Sequence, residues 1–446
     1  MTTSPPARRR QPSSVRHTRA IQRDRRQRPT VAPPDPALAT HLTDLVHPAT
    51  LAQVAAFHAA GGRERLLTLP VMMAFVLSLI WRQLACVSET VRVLEREGLL
   101  WTARQRVSQQ AASQRLQTLP AELFGRVWHA LLPQLLIRWA ARRRPLAPAL
   151  AWAREHFTAV YALDGSTLDS LLRHAGLLRE PTGPQLGGRM AGLLDLLARL
   201  PRQLWYEEES TAHDQSFWPR VLPHLQAGML LLIDLGFVNY GHYDQLTARG
   251  VGLLTRAKLN MRWEVCQGLR TGAALRDQII WLGRTAERCR YRMRLVEVCY
   301  QGHWYRYLTN VLDPAALPAE YVVALYGHRW RIEEAFAVVK RLLGLAYLWT
   351  GGQNGIQVQV WATWILYGVL IDLRDAVAEE VGRPADALSL EMVYRGLYHY
   401  TQAYHRGETT DPVGYLAAEA RGLGILKRRR PRALARLPDL TSPDGP

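Results

Sequence analysis

The chain has 446 residues, 48% of them hydrophobic, and carries 56 basic against 38 acidic residues for a formal net charge of +18 and a pI near 10.2. That length suits two or three domains with a sizeable core, and the charge points to a polyanionic partner while saying nothing about fold. Four cysteines (Cys86, Cys266, Cys289, Cys299) form no C-x-x-C pair and no zinc-type spacing with histidine, which argues against structural zinc and a disulfide framework and fits a reducing cytosol.

Of the 56 basic residues 53 are arginine; the lysines are Lys258, Lys340 and Lys427. Arginine favours bidentate phosphate contacts, although so extreme a ratio reads first as genomic bias. The apolar run over 360–373 is interrupted by Thr363 and Tyr367, short of the roughly 18 residues a membrane helix needs. The N-terminus lacks the apolar core of a secretory signal; an organellar transit peptide is a minority reading of its arginines. The expectation is a soluble intracellular protein with no membrane partner.

Residues 1–36 hold nine arginines by position 28, several prolines and almost nothing apolar. They read as a disordered basic arm adding non-specific DNA affinity through counterion release; a solubility tail explains them almost as well. From 37 to 150 apolar residues recur at three-to-four spacing, clearest over 67–84, 90–100 and 121–139, which predicts a helical N-terminal domain. Within it Ser108-Gln-Gln-Ala-Ala-Ser-Gln-Arg115 offers side chains used on base edges and phosphates. A DNA-binding module fits, though spacing alone does not identify a helix-turn-helix. Arg142-Arg-Arg144, followed by Pro145 and Pro148, marks a linker.

The period then changes. Residues 156–163 (HFTAVYAL) and 228–233 (GMLLLI) are short, apolar and bounded by breakers, as buried strands are. Each ends in an aspartate, Asp164 before Gly165-Ser166 and Asp234 before Leu235-Gly236-Phe237. An acid at a strand exit lies at the sheet rim, and a neighbouring glycine lets a ligand approach closely; an ordinary turn is the plainer reading of either one alone. Residues 290–298 and Trp304-Tyr-Arg-Tyr-Leu-Thr309-Asn310 interleave β-branched and aromatic residues with arginine. They predict a β-rich insertion over about 260–317 with a cationic face. Its aromatics are first of all packing residues, with Trp304 a candidate for stacking on an unpaired base.

The densest segment follows: Tyr326-Gly-His-Arg329-Trp330-Arg331-Ile332-Glu333-Glu334-Ala-Phe336-Ala-Val-Val339-Lys340. As a helix it brings Tyr326, Arg329, Glu333 and Lys340 within an arc of roughly 60°, with Ile332, Phe336 and Val339 on the opposite, packing face. One carboxylate among two cations and a phenol makes sense if the acid holds a metal and the others grip a phosphate backbone. A solvated helix with i,i+4 pairs such as Arg329 and Glu333 is the equally weighted alternative. Gly327 costs up to about 1 kcal/mol against alanine inside a helix, which favours a helix start nearer His328. Glycine at 344 closes the segment. Further helices are predicted over about 358–380 and 386–405, and Lys427-Arg-Arg-Arg430-Pro-Arg432 is a basic tail.

The order Asp164, Asp234, Glu333 with Tyr326-x2-Arg329-x3-Glu333-x6-Lys340 resembles the DDE transposases of bacterial insertion sequences, in the IS-four-like group defined by that Tyr-Arg-Glu-Lys signature. Leu163-Asp164-Gly165, Asp234-x-Gly236-Phe237, Thr255-Arg256-x-Lys258 and Leu308-Thr309-Asn310 agree with it, over roughly residues 105–375. Leu235 departs from it, standing where relatives often carry a basic residue. The resemblance implies an α/β fold, an RNase H-like mixed sheet flanked by helices with a β-rich insertion. That core would span 151–380 after the helical N-terminal domain, with a helical C-terminal region over 381–446.

It also implies that Asp164 on the first strand, Asp234 at the end of the fourth and Glu333 on the helix after the insertion are catalytic and ligate Mg²⁺ or Mn²⁺. Two ions about 4 Å apart would serve an in-line displacement, and hard cations suit an all-oxygen set. Tyr326, Arg329, Lys340, Trp304, Arg256 and Lys258 become DNA contacts, with second-strand cleavage through a DNA hairpin. The implied activity is cut-and-paste transposition on double-stranded DNA, transposon ends and target alike, by a homodimer in the bacterial cytoplasm, associated with the nucleoid. Two alternatives stay open: an inactive DNA-end-binding protein or repressor of the same fold, and an RNase H-like metal nuclease without strand transfer.

Overall fold

The computed structural model describes residues 36–427 apart from 63–64, 85, 169–170, 173–187, 210–212, 259, 285–286, 346 and 350–351. The basic arm expected over 1–36, save Pro36, and the basic tail beyond Lys427 lie outside the described residues.

The centre is a nine-stranded mixed sheet. Its strands are β1 (Ala159–Thr167), β2 (Arg189–Asp195), β3 (Pro201–Glu207), β4 (Met229–Ile233), β5 (Gly252–Arg256), β6 (Trp263–Thr271), β7 (Leu275–Leu282), β8 (Met293–Tyr300) and β9 (His303–Thr309). Their spatial order is β3-β2-β1-β4-β5-β9-β8-β7-β6. β1, β4 and β5 run parallel, and β2 and β3 continue antiparallel from β1. The α/β, RNase H-like arrangement with helices on both faces is therefore present.

Alternation along β1 and β4 builds the layers, because successive side chains point to opposite faces. Val160, Ala162, Leu230 and Leu232 face a large core shared with the N- and C-terminal helices. Tyr161, Leu163, Leu231 and Ile233 face a smaller core closed by Phe217, Phe237, Tyr243 and Leu246. β4 is apolar on both faces because it is covered on both, as parallel strands are.

The first strand does not end at its aspartate. β1 runs on to Thr167, since residues 164–167 keep pairing with β2 from Asp164↔Gly192 to Thr167↔Arg189. Pairing with β4 does stop there, at Leu163↔Ile233. Asp164 and Asp234 thus leave neighbouring parallel strands at one level, on the face that carries Ala162 and Leu232.

The predicted insertion continues the same sheet rather than forming a separate lobe. β9 pairs antiparallel with β5 (Tyr307↔Arg256 to Thr309↔Leu254), and β8, β7 and β6 follow. Its cationic face is thinner than expected. Arg294 is fully buried, its Nε and one terminal nitrogen holding both oxygens of Asp277 at 2.8 and 2.6 Å and its other nitrogen donating to the Leu317 carbonyl at 2.6 Å. Arg306 pairs with Glu297. Asn310, read as part of a signature, locks backbone: its carbonyl oxygen accepts from Leu253 N and its amide donates to the Val251 carbonyl.

The helices before the sheet are α1 (Pro36–Leu51), α2 (Val54–Ala59), α3 (Leu69–Trp81), α4 (Val87–Arg96), α5 (Gln109–Thr118), α6 (Glu122–Ala141) and α7 (Pro148–His156). α8 (Tyr240–Ala248) follows β4, and α9 (Ala319–His328) and α10 (Arg331–Ala337) follow the insertion. α11 (Gln353–Glu380), α12 (Leu390–His405) and α13 (Pro412–Ala418) end the described chain. α11 is long and apolar enough to cross a membrane, yet 89% of its most apolar window is buried inside the protein; it is the axle on which the N-terminal helices pack. Those helices and the sheet share one core. The Arg142–Arg144 run, read as a linker, is pinned to that axle, because Arg142 pairs with Asp372 and Glu379 and Arg144 with Asp375.

Candidate active site

The signature segment is not one regular helix. α9 ends at His328 with Gly327 inside it, where an added Cβ would meet nothing within 4 Å; the glycine is tolerated and the helix does not start late. Arg329 and Trp330 form a tight turn, with Arg329 N bonded to the Tyr326 carbonyl and Ile332 N to that of Arg329. α10 then begins, and Glu333 lies in its first turn, where the helix dipole favours a carboxylate. Val338–Leu342 widens into a π-helical turn, and Gly344 closes it with φ +78°.

The turn brings Arg329 beneath the rim of the sheet. Its guanidinium lies 3.2 Å from Asp164 Oδ2, 3.7 Å from Asp234 Oδ1 and 2.7 Å from Glu333 Oε1. Three carboxylates from β1, the exit of β4 and α10 therefore meet at one buried cation. The side chain of Arg329 is only 3% exposed, that of Asp164 14%, of Asp234 43% and of Glu333 36%. The acids open to solvent and the arginine lies beneath them. Phe336, one turn on, packs over Gly192 of β2 and against Trp364 of α11, which fixes the height of α10 over the sheet.

Burial pushes the Asp164 carboxyl up to about 7, against the opposing pull of Arg329 and of the Gly165 amide that donates to Oδ1 at 2.8 Å; Asp234 and Glu333 add to the rise. Burial works to lower Arg329 but is outweighed by Tyr326, Asp234, Asp164 and Glu333, so its net shift is upward. The guanidinium stays charged.

The donor set suits a divalent hard cation, being three carboxylates already gathered around one positive centre. Among the described residues, no three His, Cys, Asp or Glu side chains stand at metal-holding distance from one another. The acids are spread around a guanidinium, which is larger than a metal ion.

The remaining predicted residues are placed less uniformly. Tyr326 is buried, its hydroxyl has no well-formed hydrogen bond among the described residues, and burial pushes its phenol up to about 12; it lies behind Arg329 and beside Tyr307. The expected stripe of phenol and cations open to a phosphate is absent, because the tight turn rotates Tyr326 and Arg329 inward. Lys340 Nζ donates to the Thr167 carbonyl at the end of β1. Arg256 is exposed at the end of β5, close enough for its charge to act on Tyr326, and Lys258 is half-buried two residues on. Trp304 stands at the end of β9 remote from Thr309, with the Arg276 guanidinium 4.3 Å over its ring.

Three residues were not singled out by sequence. Trp330, 57% exposed, follows Arg329 and stacks near its guanidinium; its place inside the signature was the available signal. Asp214 and Arg189 form an ion pair directly against Gly165 and Gly236. Glycine at those positions does admit a close approach, but by this carboxylate, and nothing in the sequence around 214 announces it.

Residues 191–368 match the family model described as a transposase DDE domain. That span takes in Asp234 and Glu333 and begins after Asp164. Among curated proteins, one named "Putative transposase y4zB" from Sinorhizobium fredii (strain NBRC 101917 / NGR234) is 25% identical over 155 residues, 33% of this chain. The chain covers 43% of that relative's length. Among solved structures, the cryo-EM piggyBac transposase synaptic complex with hairpin DNA aligns over 89% of this chain and 86% of that one, at 10% identity and a TM-score of 0.42, too slight a likeness to argue from. Over residues 191–368 this chain is therefore similar to a transposase DDE domain, and over part of its length to a putative transposase.

Proposed function

We propose that the protein is an insertion-sequence transposase that binds the ends of its element as double-stranded DNA and cuts and joins DNA strands with Mg²⁺ or Mn²⁺. The observation that carries this reading is the convergence of Asp164, Asp234 and Glu333 on one cationic centre at the rim of a mixed sheet. Bound there, divalent cations would supply charge neutralisation at a phosphodiester and a lowered pKa for the attacking hydroxyl.

The chain's own residues do the rest. Asp164 and Asp234 offer oxygen ligands from a rigid sheet, and Glu333 adds a third from the first turn of α10. Arg329 holds the three acids together, offsetting their mutual repulsion. Arg256, exposed at the end of β5 next to β4, offers positive charge where a DNA backbone would pass, with Lys258 two residues on, and Lys340 ties the end of β1 to the segment after Glu333. Water attacks the phosphodiester at the element end and the 3′ oxygen leaves as a hydroxyl; that hydroxyl then attacks a target phosphodiester, forming a new P–O bond while the target strand's own 3′ oxygen leaves and takes up the proton. Neither step needs a protein nucleophile. Joining two ends to one target calls for two copies of the chain.

The test is a cleavage and joining assay on duplex DNA carrying the inverted repeats that flank the reading frame. Wild-type protein with Mg²⁺ nicks at the repeat and yields joined products. Asp164→Asn, Asp234→Asn and Glu333→Gln bind the same DNA without cutting it. Binding without any wild-type nicking would favour a non-cutting end-binding protein, and free ends without joined products a nuclease.

A further inference from the structure

We propose that Asp214, anchored by Arg189, is a positioning residue that sets the spacing of Asp164 and Asp234; this rests on the reading of those aspartates as metal ligands. The last register pair between the two parallel strands is Leu163↔Ile233. Beyond it β1 continues as a strand against β2, while the chain after Asp234 turns into the 3₁₀ segment Leu235–Phe237. The two backbones part where the carboxylates must be held at a fixed separation.

Asp214 lies in the gap. One carboxylate oxygen sits so close to Gly165 that a Cβ there would overlap it, and the other would lie 2.7 Å from a Cβ at Gly236. These glycines follow the two aspartates by one and two residues. Arg189, the β2 partner of Thr167, forms an ion pair with the oxygen beside Gly165. The next residue reinforces the link: Gln215 donates to the Val238 carbonyl at 3.1 Å and accepts from Asn239 at 3.3 Å. Behind them Phe217 and Trp218 are buried in the smaller core, so the segment is fixed to the sheet. A charged side chain is thus wedged between the strand that presents Asp164 and the turn that follows Asp234. By strand alternation Gly165 faces away from the Asp164 side chain, so Asp214 acts from the reverse side of β1.

Changing residues that orient metal ligands costs roughly 10–100-fold in metal affinity or activity. The experiment uses full-length Asp214→Ala, Asp214→Asn, Gly165→Ala and the double variant Gly165→Ala/Asp214→Ala. Mn²⁺ affinity is read by electron paramagnetic resonance, alongside melting temperature, DNA-end binding, and kcat and KM for cleavage. Asp214→Ala is expected to weaken Mn²⁺ binding about tenfold or more and lower kcat while KM for DNA holds. Asp214→Asn, which keeps the volume but loses the ion pair, should fall between it and wild type. Gly165→Ala should match Asp214→Ala, because its methyl expels the carboxylate, and the double variant should be no worse than either single one. Losses that multiply in the double variant, or variants that melt lower with Mn²⁺ affinity unmoved, overturn the proposal. Wild-type protein that binds Mn²⁺ and cuts DNA alongside an unaffected Asp214→Ala defeats this inference alone. Wild-type protein that takes up no Mn²⁺ defeats the functional reading beneath it.

Discussion

Arg329 and Asp164 are 165 residues apart in the chain and 3.2 Å apart in the fold. The same guanidinium reaches Asp234 and Glu333, so one side chain offsets part of the repulsion among all three acids. Removing one partner of a buried ion pair costs about 3–5 kcal/mol. Because Asp234 and Glu333 keep access to water, Arg329→Ala should cost less, about 2–3 kcal/mol. Thermal melts with and without Mg²⁺ check this. The variant should melt lower in chelator, and Mg²⁺ should raise its melting temperature more than it raises wild type, since no guanidinium then competes for the acids.

Asp164 gives the site a pH signature. Its folded-state pKa, pushed up to about 7 by burial, lies above the value of an exposed aspartate, so between roughly pH 4 and pH 7 the folded state binds more protons than the unfolded state. Stability from this group is therefore greatest in acid and falls as pH rises through that window, by at most about 1.4 kcal/mol per pH unit. In chelator, wild type should lose more stability than Asp164→Asn between pH 5 and pH 8. Denaturant melts of the two proteins at both pH values supply the comparison, and parallel losses would count against a raised pKa.

Arg294 and Asp277 join the insertion to the segment before α9 through a fully buried two-point contact and the Leu317 carbonyl. Arg294→Ala leaves Asp277 charged and unpaired, with an expected loss of about 3–5 kcal/mol. Limited proteolysis should then show earlier cleavage near 310–318, while Arg276→Ala, which removes a half-exposed stack on Trp304, should melt close to wild type.

Tyr326 carries a buried hydroxyl with no well-formed hydrogen bond among the described residues. Tyr326→Phe removes an unsatisfied polar group, so it should leave stability unchanged or raise it by about 1 kcal/mol. A clear loss of DNA cleavage in a variant that melts like wild type would show that the hydroxyl swings out to reach substrate.

Arg256 is exposed at the end of β5 beside the site. If it neutralises one phosphate, Arg256→Ala should weaken end binding whatever the sequence and make the slope of log affinity against log salt shallower by about 1. Binding titrations at several salt concentrations decide it, and an unchanged slope places the side chain off the DNA.

Much of the fold could be read from local pattern. The runs at 156–163 and 228–233 are short and apolar, and only a covered strand buries such a run on both faces; the strands duly occupy Ala159–Thr167 and Met229–Ile233. Helical spacing at 67–84 and 121–139 likewise marks two of the helices around α11. Asp164, Asp234 and Glu333 could be picked out only as a set, since an aspartate beside a glycine is ordinary turn chemistry by itself and the order of three acids with the Tyr326–Lys340 spacing carried the reading. What sequence could not supply was everything that depends on one segment crossing another. The tight turn at Arg329 and Trp330 comes from packing α9 and α10 over the sheet, and it turns a phosphate-facing stripe into a buried cation under three carboxylates. The Arg142–Arg144 run became an anchor because acids on α11 happened to face it. Asp214 settles between Gly165 and Gly236 from a separate stretch of chain. Periodicity and residue type act over a few residues and determined the elements; charge pairing and steric fit act between elements, and only the assembled structure decided them.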